Sequence, residues 1–133
     1  MNFKDQASIN SPDMIKELAK RIMDRGISPE LEIFDLGMAN YARYLIHRGI
    51  FRNPLYAILI FGNIAGAQPH LVEIASPINA MPEDIIRGLG GLGRARVPMA
   101  GLASGFAPGV RIAVEDNLWS NFERIEPASN LSC

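Results

Sequence analysis

The chain is poor in the residues that build metal sites and disulfide frameworks: its one cysteine is Cys133 and its two histidines are His47 and His70. A lone thiol excludes an internal disulfide and a cysteine-based zinc cluster, and suits a reducing compartment. The histidines stand far from ligand-pair spacing and read as surface residues. An excess of either charge is also lacking. Thirteen Lys and Arg against fourteen Asp and Glu leave a formal net charge of -1, which excludes bulk electrostatic attraction to nucleic acid or anionic lipid. The longest apolar run, Leu55 to Phe61, falls far short of the roughly 20 residues of a membrane helix, and Met1 to Gln6 holds no signal-peptide core. These absences predict a cytoplasmic protein with neither nucleic acid nor membrane as partner. No P-loop, Ser-His-Asp arrangement or aromatic-basic stripe is visible.

What is present is one domain's length, 133 residues, 48% hydrophobic and 20% charged, the composition of a globular protein. Ser11-Pro12-Asp13 is a helix start, and Ile15, Leu18, Ala19, Ile22 and Met23 follow as one apolar stripe that Gly26 ends. Glu30 to Asp35 reads as a strand closed by Gly37, Ala39 to Arg48 as a helix, Tyr56 to Phe61 as a strand, and Gln68 to Ser76 as a helix. Ile85 to Gly90 is a third strand, Arg94 to Ser104 a helix ended by Gly105, and Val110 to Val114 a fourth strand. Strands alternating with helices at near-constant spacing predict a parallel sheet covered by helices, an α/β fold.

Such units build either a doubly wound open sheet or a (β/α)8 barrel. On the last strand Arg111, Ala113 and Glu115 share one face, and on the first Glu32 lies opposite Leu31 and Ile33. These charges either sit at an exposed sheet edge or meet each other, a metal or a ligand inside a barrel. About four βα units are half of a barrel that typically takes about 250 residues. Residues 1–133 therefore read as a single partial domain: a fragment, a chain that dimerises to complete a barrel, or a small open sheet. The polar stretch Asn121 to Cys133, broken by Pro127, offers no helix to cover the last strand and favours the fragment.

Gly88-Leu89-Gly90-Gly91-Leu92-Gly93 spells the dinucleotide fingerprint, with Glu115 and Asp116 downstream. Pro98, expected in the second turn of the next helix, opposes it. The glycines fit equally a phosphate approach at a helix N-terminus or a tight strand-to-helix turn. Glu115-Asp116-Asn117 sits where α/β folds place active sites, with Arg111 one face-repeat below; capping by Asp116 or Asn117 and pairing of Glu115 with Arg111 is the structural alternative.

At Pro29-Glu30-Leu31-Glu32-Ile33-Phe34-Asp35, Gly62 to Gln68, Gly91-Leu92-Gly93-Arg94 with Pro98-Met99-Ala100, and above all Gly109 to Leu118, the chain resembles the beta-keto acid cleavage enzymes. The resemblance implies the C-terminal half of a (β/α)8 barrel, its fifth to eighth strands. It implies a zinc-dependent, retro-Claisen type of acyl transfer in which a beta-keto acid and acetyl-CoA give acetoacetate and a new CoA ester. By position Glu115 would be the carboxylate zinc ligand, Asp116 the acid/base residue, Arg111 the cation that orients Asp116 and stabilises developing negative charge, and Glu32 an interior glutamate of the supporting network. Gly90, Gly91, Gly93 and Arg94 would border the CoA path.

The family's His-x-His zinc pair belongs to its N-terminal half, and no such pair occurs here. One carboxylate does not hold catalytic zinc, so the isolated chain is expected to be inactive and to depend on a missing N-terminal half-barrel or on oligomerisation. The rival reading is a noncatalytic α/β module that binds a nucleotide or CoA, or a barrel-completing subunit. Met38, Ala39 and Asn40 are expected in a loop after the first strand, and the choice of keto acid is not legible.

Overall fold

The computed structural model describes residues 9–114, 116, 118, 119 and 123. Ser11 opens the first helix, α1 (Pro12–Met23), its hydroxyl accepting from the Met14 N–H at 3.2 Å. Ile15, Ala19 and Met23 face the core as expected. Leu18 departs from the predicted stripe and is 49% exposed. The strands are β1 (Glu30–Ile33), β2 (Tyr56–Phe61), β3 (Ile86–Gly91) and β4 (Gly109–Arg111), joined through α2 (Leu36–His47), α3 (Leu71–Ala80) and α4 (Arg96–Phe106).

All three strand pairings are parallel, in the order β1-β2-β3-β4. Sequential order has no reversal, so these strands lack the switch point at which a doubly wound sheet binds a dinucleotide. Ile33, Leu59 and Leu89 stand in one register row. With Ala57 and Phe61 they join a core shared by Ala39, Ala42 and Leu45 of α2, Ile74 of α3, and Met99 and Ala103 of α4. One sheet face thus carries the helices. Alternation puts Glu32, Ile58, Ile60, Gly88, Gly90 and Arg111 on the other face, where Ile58 and Ile60 are also buried.

Several boundaries differ from expectation for local reasons. Asp35 does not end a strand: its carboxylate accepts the Met38 N–H at 2.8 Å and starts α2. The helix expected from Ala39 therefore begins earlier, taking in Gly37 and Met38, and the expectation of a loop at Met38, Ala39 and Asn40 gives way to it. Pro98 is the third residue of α4, in the first turn, where a missing N–H removes no intrahelical bond. Gly105 stays inside α4, and β4 stops at Arg111, so the face shared by Arg111, Ala113 and Glu115 does not extend past it as strand. Pro77 lies within α3. The stretch from Asn121 to Cys133 is outside the described residues apart from Glu123. Among the described residues no helix is long and apolar enough to cross a membrane.

Candidate active site

Parallel strands deliver their C-terminal ends to one edge, and here that edge gathers polar side chains from residues far apart in sequence. Arg111, the last residue of β4, donates from Nε to Asp116 Oδ2 at 3.0 Å and from NH2 to Asp116 Oδ1 at 3.2 Å. Its NH1 donates to Glu32 Oε1 of β1 at 3.2 Å. A planar guanidinium suits this two-pronged contact, which a lysine would not reproduce. The Asp116 side chain is 4% exposed, that of Arg111 25% and that of Glu32 49%. One cation therefore holds a desolvated carboxylate on one side and a solvent-accessible one on the other.

Asp116 is fixed through its backbone too, its N–H donating to Ala113 O at 3.1 Å and its carbonyl accepting from the Gly93 N–H at 2.7 Å. The second of these bonds ties the segment after β4 to the turn after β3. Arg111 spans the whole width of the sheet, from β4 to β1. Arg111, Asp116 and Glu32 are thus brought together: Arg111 and Glu32 stand on the two outer strands of the described sheet and meet each other. Glu115 and Asn117 lie outside the described residues.

The end of the glycine motif is the expected tight strand-to-helix turn, while its earlier glycines lie in the strand itself. Gly90 and Gly91 belong to β3, and only Gly93, at φ +54°, opens the 3-10 turn Gly93–Ala95 that leads into α4. Gly91 permits close packing, since a Cβ there would fall 2.5 Å from Ala95 C and 2.7 Å from Arg96 N. Arg94 is exposed at this turn. His47 and His70 are exposed at opposite ends of separate helices, His70 one residue before α3.

Sequence reasoning missed the roles of Asn63 and Gln68 within the segment it singled out. Buried Asn63 accepts the Ala65 N–H through Oδ1 at 3.0 Å, while Gln68 Nε2 donates to the carbonyls of Asn63 and Gly66 at 2.7 and 3.0 Å. The Gly62-Asn63 pair that follows β2 is the available signal for such a turn. Arg96, also buried, donates to Trp119 O at 3.3 Å. Tyr56 lies over Gly88 and Gly109, and burial, with a smaller contribution from Glu30, pushes its phenol above the usual tyrosine range.

The described residues bring no three His, Cys, Asp or Glu side chains together. They do not by themselves furnish the ligand set of a catalytic zinc ion.

Among similar proteins, a 3-keto-5-aminohexanoate cleavage enzyme of Fusobacterium nucleatum is 31% identical over 116 residues, 86% of this chain and 42% of the relative. A 3-dehydrocarnitine:acetyl-CoA trimethylamine transferase of Rhizobium meliloti is 30% identical over 121 residues, 90% of this chain and 40% of the relative. A 3-keto-5-aminohexanoate cleavage enzyme of Acetoanaerobium sticklandii is 26% identical over 136 residues, 96% of this chain and 50% of the relative. The chain spans half or less of the length of these relatives. Residues 1–132 match the beta-keto acid cleavage enzyme family, and the chain belongs to that family.

Proposed function

We propose that this chain supplies four strands of an eight-stranded keto acid cleavage barrel and contributes Glu32, Arg111 and Asp116 to its active site. The observation that carries this reading is Arg111 bridging Asp116 and Glu32 on the sheet face away from the helices. That face becomes the interior when sequentially ordered parallel strands close into a barrel. The share of the relatives that the chain spans supports a missing portion of similar size.

The substrates are a beta-keto acid and acetyl-CoA, and the products acetoacetate and the CoA ester of the remaining acyl group. Cleaving a carbon–carbon bond beside a carbonyl needs an enolate stabilised as it forms. Asp116, locked in orientation by the guanidinium fork, exchanges the proton; Arg111 offsets the developing negative charge; Glu32 holds the far side of Arg111. The zinc that the family resemblance implies would need ligands beyond the described residues, with Glu115 as this chain's own donor, and would polarise the keto carbonyl as a Lewis acid. Arg94 and the turn at Gly93 border the entry of CoA.

A fusion placing the preceding portion of the Acetoanaerobium sticklandii relative ahead of this chain tests the reading. Acetoacetate formed from acetyl-CoA and a panel of beta-keto acids, and lost in Asp116→Asn and Arg111→Met, is expected. A folded fusion that binds acetyl-CoA but releases no acetoacetate from any keto acid would overturn it in favour of a binding module.

A further inference from the structure

Glycine weakens a strand interior and needs a local reason, and β3 has glycine at alternate positions 88 and 90 of the same face. The neighbouring side chains give that reason. At Gly88 a Cβ would lie 2.9 Å from Tyr56 Cζ and 2.8 Å from Ile58 Cδ1, so the bare backbone accepts the ring that leans in from β2. At Gly90 a Cβ would lie 3.0 Å from Arg111 Cβ, 3.4 Å from Cδ and 3.5 Å from Cγ. The Arg111 stem therefore rests along the β3 backbone at Gly90, its direct register partner. Neighbouring strands normally lie about 4.7–4.9 Å apart, so a Cβ only 3.0 Å from that of Arg111 requires the stem to move if alanine stands at 90.

We infer that Gly90 is a positioning residue for Arg111. Its missing side chain is the bed along which the arginine lies so that one guanidinium reaches Asp116 beside it and Glu32 three strands away. The consequence for catalysis rests on the function proposed above; the placement of Arg111 does not. In this role Gly90 serves a protein side chain instead of the CoA path.

The test is a 1H–15N spectrum of the arginine side chains of the full chain. One slowly exchanging Nε–H, assigned to Arg111 by its loss in Arg111→Lys, is expected in the parent protein. In Gly90→Ala its exchange is expected to accelerate about tenfold or more while the dispersed amide spectrum is kept. Gly101→Ala, where a Cβ meets nothing within 4 Å, is expected to leave the signal unchanged. A folded Gly90→Ala chain with the Arg111 signal still protected overturns the inference. If Gly90→Ala does not fold, Gly90→Ala is combined with Arg111→Gly, which removes the contacting stem. Recovery of the fold supports the conflict with Arg111, and failure of the double variant where Arg111→Gly alone folds overturns it by assigning Gly90 to the strand alone. Because the spectrum involves no turnover, an inactive fusion with the expected exchange behaviour refutes the function while the positioning role stands.

Discussion

Replacing Arg111 by methionine keeps the length of the side chain and removes its charge, leaving the Asp116 carboxylate, 4% exposed, without its two-pronged partner. Losing one member of a fully buried pair costs about 3–5 kcal/mol. Arg111 is itself 25% exposed, so solvent screening brings the expected loss to about 2–3 kcal/mol. For a chain of this size that corresponds to a fall in Tm of roughly 6–12 °C. Asp116→Asn leaves Arg111 facing Glu32 and should cost less, about 1–2 kcal/mol. The double variant leaves neither a buried charge nor an unpaired cation, so it should be no less stable than Arg111→Met alone, a coupling of about 1.5 kcal/mol. Urea denaturation followed by circular dichroism, with equal m-values across the four proteins, reads this cycle. High salt should weaken the Glu32 contact more than the Asp116 contact, because screening acts chiefly on exposed pairs. Strict additivity of the two single losses would refute the reasoning, since it would mean that Asp116 gains nothing from the guanidinium beside it.

Other outcomes are equally specific. Gly91→Ala drives a methyl group into the backbone at Ala95 and Arg96 and should cost about 3 kcal/mol; an unchanged urea midpoint would show that α4 can lift freely. Leu59→Ala, at a fully buried position of β2, should lose about 3 kcal/mol in the same assay. The raised Tyr56 value means that the folded state favours the neutral phenol, so this contribution is intact below the ordinary tyrosine value of about 10 and is lost as pH rises through the higher folded value. Urea midpoints should therefore fall more steeply above about pH 10 in the parent than in Tyr56→Phe, and parallel curves would contradict it. Calorimetric titration of the isolated chain with zinc should show no tight, saturable site; one equivalent bound tightly would overturn the expectation that ligands from elsewhere are required.

The clearest features in the sequence were those with local causes. Ser11-Pro12 and the spacing of Ile15, Ala19 and Met23 identify α1, and four short apolar runs at regular intervals identify the parallel sheet. Asp35 was harder to place, because a carboxylate after an apolar run fits a strand end as well as a helix cap, and only its bond to Met38 decides. The third strand, expected over Ile85 to Gly90, is found over Ile86–Gly91, but the reason for glycine at 88 and 90 is not legible because it is non-local: the side chains accommodated there, Tyr56 and Arg111, come from the two neighbouring strands. Arg111 and Glu32 are 79 residues apart. The family resemblance joined them in one network, whereas periodicity alone placed each on an alternating face. Within their own loop Asn63 accepts a backbone N–H and Gln68 donates to two backbone carbonyls, a pattern that composition does not display.

The guanidinium of Arg111 also has a mechanical meaning. Among the described strands, β1 and β4 each have a single neighbour, so they are the two seams at which further strands would dock. Arg111 acts as a tie rod between these seams while its other prong clamps Asp116. A load on β1 is therefore transmitted to the acid/base candidate through one rigid planar group. In the proposed barrel, the position of β1 and the orientation of the Asp116 carboxylate would be coupled through that one group.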